Sequence, residues 1–178
     1  MEGKFQVRKV VQPGVPVDRK DNFFNFDLSQ LEGNEELKNL RQLARLLFFI
    51  PFEINKKVSL NLQVSEQFQL SYFDHDHTFV KRRAESTFGQ RDTGVKLTII
   101  FAVGCKNTAP ILKLYRQSET EVPNTDAIEQ IKMGENTLVV FNSRAFEYEI
   151  ADASSKSILI ANQVPGPASP PEQAGVPF

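Results

Sequence analysis

Histidine, cysteine and tryptophan are scarce or missing in this chain, and each shortage removes a class of chemistry. Cys105 is the single cysteine among 178 residues, which excludes an intrachain disulfide and a cysteine-based metal cluster. The two histidines, His75 and His77, lie two residues apart, and no histidine follows them. A metal site that draws imidazoles from two separate strands is therefore excluded. Charge of one sign is also lacking: 21 basic residues face 22 acidic ones, so no global field attracts nucleic acid or an anionic membrane. The longest apolar run, Leu46 to Phe52, contains Pro51 and falls far short of the roughly 20 residues of a membrane helix. Neither a glycine-rich phosphate loop nor a Gly-x-Ser-x-Gly motif occurs. The first twenty residues lack a signal-type apolar core, and Glu2, Pro13 and Pro16 spoil an amphipathic transit peptide. The chain reads as intracellular, with nothing that separates cytoplasm from mitochondrion.

What is present suggests one domain with extended ends: an arm over 1–22, a domain over 23–163 and a tail over 164–178 that holds five of the ten prolines. From Asn34 to Ile50 the residues Leu37, Leu40, Leu43, Ala44, Leu47 and Ile50 recur at spacings of three and four, which predicts a helix. Asn34 is its expected N-cap, Glu35 and Glu36 suit the positive end of the dipole, and Pro51 is expected to stop it. The period then becomes two. Val58, Leu60, Leu62 and Val64 alternate with polar residues, and Phe68 and Leu70 continue the pattern. Further strands are expected over 96–103, 111–115, 127–131, 137–141, 146–150 and 157–161. One helix and about eight short strands imply a mainly β, α+β chain with the helix packed on a sandwich or barrel.

The stretch Asp74-His-Asp-His77 has the look of a metal site. In an extended conformation its imidazoles share one face, and a third ligand such as Glu147 or Glu149 would have to come from another strand. The competing reading is a loop of ordinary turn residues. Lys81-Arg-Arg83 is a short basic run, more in keeping with a solvated or internal charge cluster than with a phosphate site. Cys105 has no histidine nearby to act as its base. Of the 15 phenylalanines, Phe48, Phe49, Phe52, Phe68, Phe101 and Phe141 fall on apolar periods and are expected in the core.

Three stretches in a fixed order carry a family resemblance: Tyr72 to Glu85, Gly94-Val-Lys-Leu-Thr-Ile-Ile-Phe101, and Gly134 to Ile150 ending in Asn142-Ser-Arg-Ala-Phe-Glu-Tyr-Glu-Ile150. Over roughly residues 35–162 the chain resembles the prolyl 4-hydroxylase-like branch of the iron(II) and 2-oxoglutarate dioxygenases. The resemblance implies a double-stranded β-helix of jelly-roll, cupin-like form. It also aligns Phe79-Val-Lys-Arg-Arg-Ala-Glu85 with the family's His-x-Asp segment, so that Arg83 stands at the histidine and Glu85 at the aspartate. Tyr148 falls where the second iron-binding histidine belongs. Ala109-Pro-Ile-Leu-Lys-Leu-Tyr115 keeps a family strand but loses its two glycines and glutamate. Lys156 is the nearest candidate for the basic residue that clamps 2-oxoglutarate.

Iron in that family needs two imidazoles and a carboxylate. A guanidinium has no lone pair to donate and repels a cation, so the resemblance implies a degenerate centre with no metal and no cofactor, and no catalytic residue. The expected role is a structural or accessory subunit of a larger protein assembly, engaged through the arm and the proline-rich tail. Two alternatives stay open: an oxygenase with a site rearranged around His75 and His77, and a dicarboxylate-binding module that uses Lys156 without turnover.

Overall fold

Period-two segments of the sequence become strands and the three-and-four segment becomes a helix, with boundaries that local hydrogen bonds decide. The structure is a computed structural model that describes residues 22–58, 60–73, 78–85, 95–105, 108–117, 125–153 and 157–166. Its elements are β1 (Asn22–Asp27), α1 (Lys38–Lys57), β2 (Gln67–Phe73), β3 (Thr78–Arg83), β4 (Val95–Cys105), β5 (Ile111–Arg116), β6 (Glu129–Lys132), β7 (Leu138–Asn142), β8 (Phe146–Ala153) and β9 (Ser157–Pro165). They form a five-stranded sheet in the order β1-β2-β9-β4-β7 and a four-stranded sheet in the order β3-β8-β5-β6. Every pairing is antiparallel. This is the jelly-roll, double-stranded β-helix arrangement with one helix packed on it. His75, His77, Lys156, residues 1–21 of the arm and residues 167–178 of the tail lie outside the described residues.

Each face of the larger sheet contributes to a core, with different partners. Phe73, Ile100, Ala102 and Leu159 pack between the sheets with Leu112, Tyr148 and Ile150 of the smaller one. Phe26, Phe68, Ile99, Ile160 and Val164 form the other layer, closed by Ala44 and Leu47 of the helix. Side chains alternate across a strand, so adjacent residues of β4 and β9 serve two different cores. No helix among the described residues is long and apolar enough to cross a membrane.

Four local expectations need correction. The helix does not stop at Pro51: the proline is buried inside it, and the helix runs on to Lys57. Proline costs the interior one hydrogen bond, but the final turn is held by the Val58 amide on the Ile54 carbonyl and by Ile54 against the core. Lys56 and Lys57 suit its negative end. The alternation from Val58 to Val64 is not a strand, because Asn61 adopts a positive φ of 49° and the Asn55 side chain brackets Leu62, accepting from its amide at 3.0 Å and donating to its carbonyl at 2.9 Å. Phe23-Phe-Asn-Phe26, for which no strand was expected, lies in edge strand β1. Finally, Phe49 and Phe52 are not in the core but 56% and 42% exposed. At about 100° per residue the stripe Ala44, Leu47 and Pro51 faces the sheet, and Phe49 lies on the far side. Asn34 caps a 3-10 turn over Glu35–Leu37 that leads into the helix, its side chain accepting from the Glu36 amide at 3.0 Å, whereas the α-helix itself begins only at Lys38 without a side-chain cap. β9 continues through Val164 and Pro165, residues that open the tail in the sequence reading.

Replacing Asn55 by Ala strands the Leu62 amide and carbonyl together, and the expected loss is about 2 kcal/mol in urea unfolding. The exposed Lys57→Ala variant is expected to stay within about 0.5 kcal/mol of the parent.

Candidate functional site

Toward one end of the space between the sheets the inward-facing residues change from apolar to polar. On β2 the face that carries Phe73 continues through Ser71, Gln69 and Gln67, and on β9 the face of Leu159 and Ala161 ends in Gln163. On β4 it ends in Thr98, whose hydroxyl shares a buried 2.8 Å hydrogen bond with that of Ser143. A cleft of 610 Å³ opens there, with Asn25, Gln67, Gln69 and Gln163 on the large-sheet side and Arg83 and Glu85 opposite. Gln69 donates to Asn25 at 3.1 Å, which ties the rim of the cleft to β1.

Arg83 reaches this position through irregular strand geometry. Val80 of β3 lies opposite Ile150 of β8, yet Arg83, three residues on, lies opposite Tyr148, two residues back. The extra residue between the two pairs reverses the alternation. Arg82 therefore bonds Glu147 while Arg83 comes opposite Tyr148 and pairs with Glu85. Glu85 itself is nearly buried, with 7% of its side chain exposed. One of its oxygens, Oε1, takes Nε of Arg83 at 3.0 Å and the Tyr148 hydroxyl at 2.8 Å, and the other takes Nη2 of Arg83 at 3.4 Å. The Tyr148 ring is fixed edge-on against Phe141, with centroids 5.7 Å apart.

The structure thus brings together Arg83, Glu85 and Tyr148, the three positions that the resemblance equates with iron ligands. Their chemistry does not fit ferrous iron. One member is a fixed cation without a lone pair, and the carboxylate already accepts from both neighbours through Oε1. Among the described residues no group of three or more His, Cys, Asp or Glu side chains is placed to hold a metal. Glu147 and Glu149, considered as third ligands for His75 and His77, are engaged elsewhere: Glu147 with Arg82, and Glu149 with Lys113 at 3.1 Å and the Tyr115 hydroxyl at 3.1 Å. Cys105 accepts a 3.6 Å contact from the Ser157 hydroxyl.

This second cluster escaped the sequence reading. The Arg82 guanidinium lies 4.1 Å from the Tyr115 ring centroid, and burial pushes the Tyr115 hydroxyl above its ordinary value, with the Glu149 carboxylate adding to the shift. Its signal was the alternation of Lys113 and Tyr115 with apolar residues, together with Glu147 and Glu149 flanking Tyr148. The glutamine-lined wall was missed for a different reason: on β2 the apolar partners Phe68 and Leu70 also point into a core, so polarity alone did not mark the inner face.

Removing the hydroxyl in Tyr148→Phe leaves Glu85 bonded to Arg83 and keeps the ring. The expected cost is about 1.5 kcal/mol in urea unfolding, with the fold unchanged by circular dichroism.

No protein-family model and no curated protein matches the sequence. Solved structures do match the fold. A prolyl-4-hydroxylase from Pseudomonas putida superposes with a TM-score of 0.65 at 15% identity, covering 90% of this chain and 79% of that one. A prolyl hydroxylase from Trichoplax adhaerens, in complex with a hypoxia inducible factor oxygen degradation domain peptide fragment, gives 0.65 at 13% identity, with 91% and 70% covered. By its architecture, then, this chain has the fold of these prolyl hydroxylases.

Proposed function

We propose that the chain is a catalytically inactive dioxygenase-like domain that serves as a structural or accessory subunit of a larger protein assembly. The observation that carries the reading is the closed contact among Arg83, Glu85 and Tyr148. A buried carboxylate requires a compensating charge. Here a guanidinium supplies it from within the chain, so the pocket is electrically satisfied without a cation. The histidine count supports the same view independently of any alignment, because no histidine follows His77.

One further feature favours a second reading, in which the cleft still accepts a small dicarboxylate without turnover. The space of 610 Å³ persists beside Arg83, whose side chain is 41% exposed. Lys156 is the candidate that the resemblance adds to it.

Metal analysis and titration calorimetry with Fe(II), Mn(II) and 2-oxoglutarate on the tag-free, anaerobically purified protein test both. The expected result is no bound metal, no heat from either metal and no succinate formed. Heat from 2-oxoglutarate alone, lost in Lys156→Ala, selects the binding module. Stoichiometric metal that disappears in the His75→Ala, His77→Ala double variant overturns the inactive reading.

The accessory role rests on composition: an arm of mixed valine, proline and charge, and a tail with five of the chain's prolines, neither able to form its own core. Deleting residues 1–21 or 167–178 is expected to release the chain from its native assembly on blue-native gels. Unchanged co-migration of both truncations would remove the arm and tail as tethers.

A further inference from the structure

The outward face of α1 breaks the rule that a surface helix is polar where it meets solvent. Leu46, Phe49 and Phe52 are 69%, 56% and 42% exposed, and their spacing of three places them along one side of the helix. The rings of Phe48, Phe49 and Phe52 lock together, with centroids 5.5 to 5.9 Å apart. Phe48 is partly buried and packs against the core under the sheet, so the exposed pair is braced from below and forms a ridge. Single exposed apolar residues need no explanation, but a contiguous ridge of this kind marks a contact surface.

The charges that border the ridge say what it fits. Arg45 lies four residues before Phe49 and Glu53 four residues after it, and both are largely exposed, at 56% and 64% of their side chains. When two copies of α1 lie antiparallel about a two-fold axis at Phe49, residue levels match in a fixed way. Phe49 meets Phe49, Leu46 comes level with Phe52, and Arg45 comes level with Glu53, twice over. A parallel pairing in the same register would instead set Arg45 beside Arg45 and Glu53 beside Glu53. Arg45 and Glu53 lie only about 40° to either side of Phe49, close enough for their long side chains to reach across the seam, whereas Arg41 and Lys57, which also come level, lie about 80° away, where water screens them. The ridge is thus complementary to itself in one orientation, as an isologous contact requires.

We infer that α1 is a homodimer surface, on which two copies of this chain pack antiparallel through Phe49, Leu46 and Phe52 with reciprocal Arg45–Glu53 pairs at the seam. The intramolecular contacts that these charges now make, Arg45 with Glu32 at 3.6 Å and Glu53 with Lys56 at 2.6 Å, are exposed pairs of small worth and yield at little cost. This inference does not depend on the function proposed above.

Sedimentation equilibrium of the full chain over a concentration series tests it. The wild type is expected to dimerise, and Phe49→Asp to weaken the dimer by at least about 30-fold while its circular dichroism stays unchanged. Arg45→Glu and Glu53→Arg are each expected to weaken it about 5-fold, and the double variant to restore it. That restoration separates a contact from a folding defect and decides the matter should Phe49→Asp fail to fold. A wild type that stays monomeric overturns the inference, whether the ridge is then covered by residues 1–21 of the same chain or by a different protein. A dimer indifferent to Phe49→Asp, or a double variant no better than the singles, overturns it as well.

Discussion

Strand β9 pairs with β2 on one side and β4 on the other, and neither of its faces meets water along most of its length: Leu159 and Ala161 enter the layer between the sheets, Ile160 and Val164 the layer under the helix. A polar residue on such a strand must find its partners inside. The amide nitrogen of Asn162 does so by donating to the carbonyls of Ser65 and Gln67, each at 3.0 Å, while its Oδ1 meets no partner among the described residues. Those bonds fix where β2 begins, and the Gln63 amide on the Pro165 carbonyl fixes the segment that leads to it. The start of β2 in turn sets which face carries Gln67 and Gln69. The polar wall of the cleft is therefore a consequence of how the central strand is satisfied.

On the opposite wall the decisive feature is parity. Without the extra residue between Val80 and Arg83, regular alternation would bring Arg82 opposite Tyr148 and set Arg83 against Glu147, which is the reverse of the pairing seen. The irregularity delivers one arginine to each face, and each arginine finds a carboxylate. For Glu85 this matters more than for Glu147, since its side chain is nearly buried and an isolated buried carboxylate is costly. A guanidinium at 3.0 Å neutralises it much as a bound cation would. Arg83 and a cation at Glu85 are thus alternatives for the same negative charge, and the protein carries the former in its own sequence.

Much of this was legible in the residues. Alternation over Lys96 to Val103, Ile111 to Tyr115 and Ser157 to Ala161 marked real strands because their inward-facing residues enter a core, and Asn34 marked the 3-10 turn that leads into the helix because its side-chain chemistry is local. The grouping of Arg83, Glu85 and Tyr148 was legible through the family resemblance, although their contacts depend on a strand irregularity that no pattern announces. What failed did so where tertiary packing outweighed a local rule. Pro51 is tolerated because it is buried and the turn beyond it is anchored. Val58 to Val64 alternates like a strand, yet the Asn55 side chain takes the hydrogen bonds of Leu62 that a neighbouring strand would have used. Phe49 and Phe52 look like core because their type is apolar, but only three or four positions in each two turns of a helix can face a sheet.

That last failure has a geometric origin. Five strands at about 4.8 Å spacing span roughly 20 Å, whereas one helix with its side chains is about 10 to 12 Å across. Among the described residues a single long helix covers the outer face of the larger sheet, sharing one buried cluster with Phe26, Phe68, Ile160 and Val164 of β1, β2 and β9 and with Leu97 and Ile99 of β4. At the other edge Leu138 and Val140 of β7 stand level with Phe101 and Ile99 of β4, on the helix side, and remain 46% and 36% exposed. The helix adds its own ridge of Leu46, Phe49 and Phe52 to the same side of the molecule. Among the described residues these exposed apolar side chains thus share one side, while the smaller sheet, apart from Ile128 at 55% exposure, closes its outer face with charge pairs such as Lys113–Glu149 and Arg82–Glu147. A chain built this way gains most by burying its helical side against another surface, so association is favoured by the same shortage of covering elements that left two phenylalanines in water.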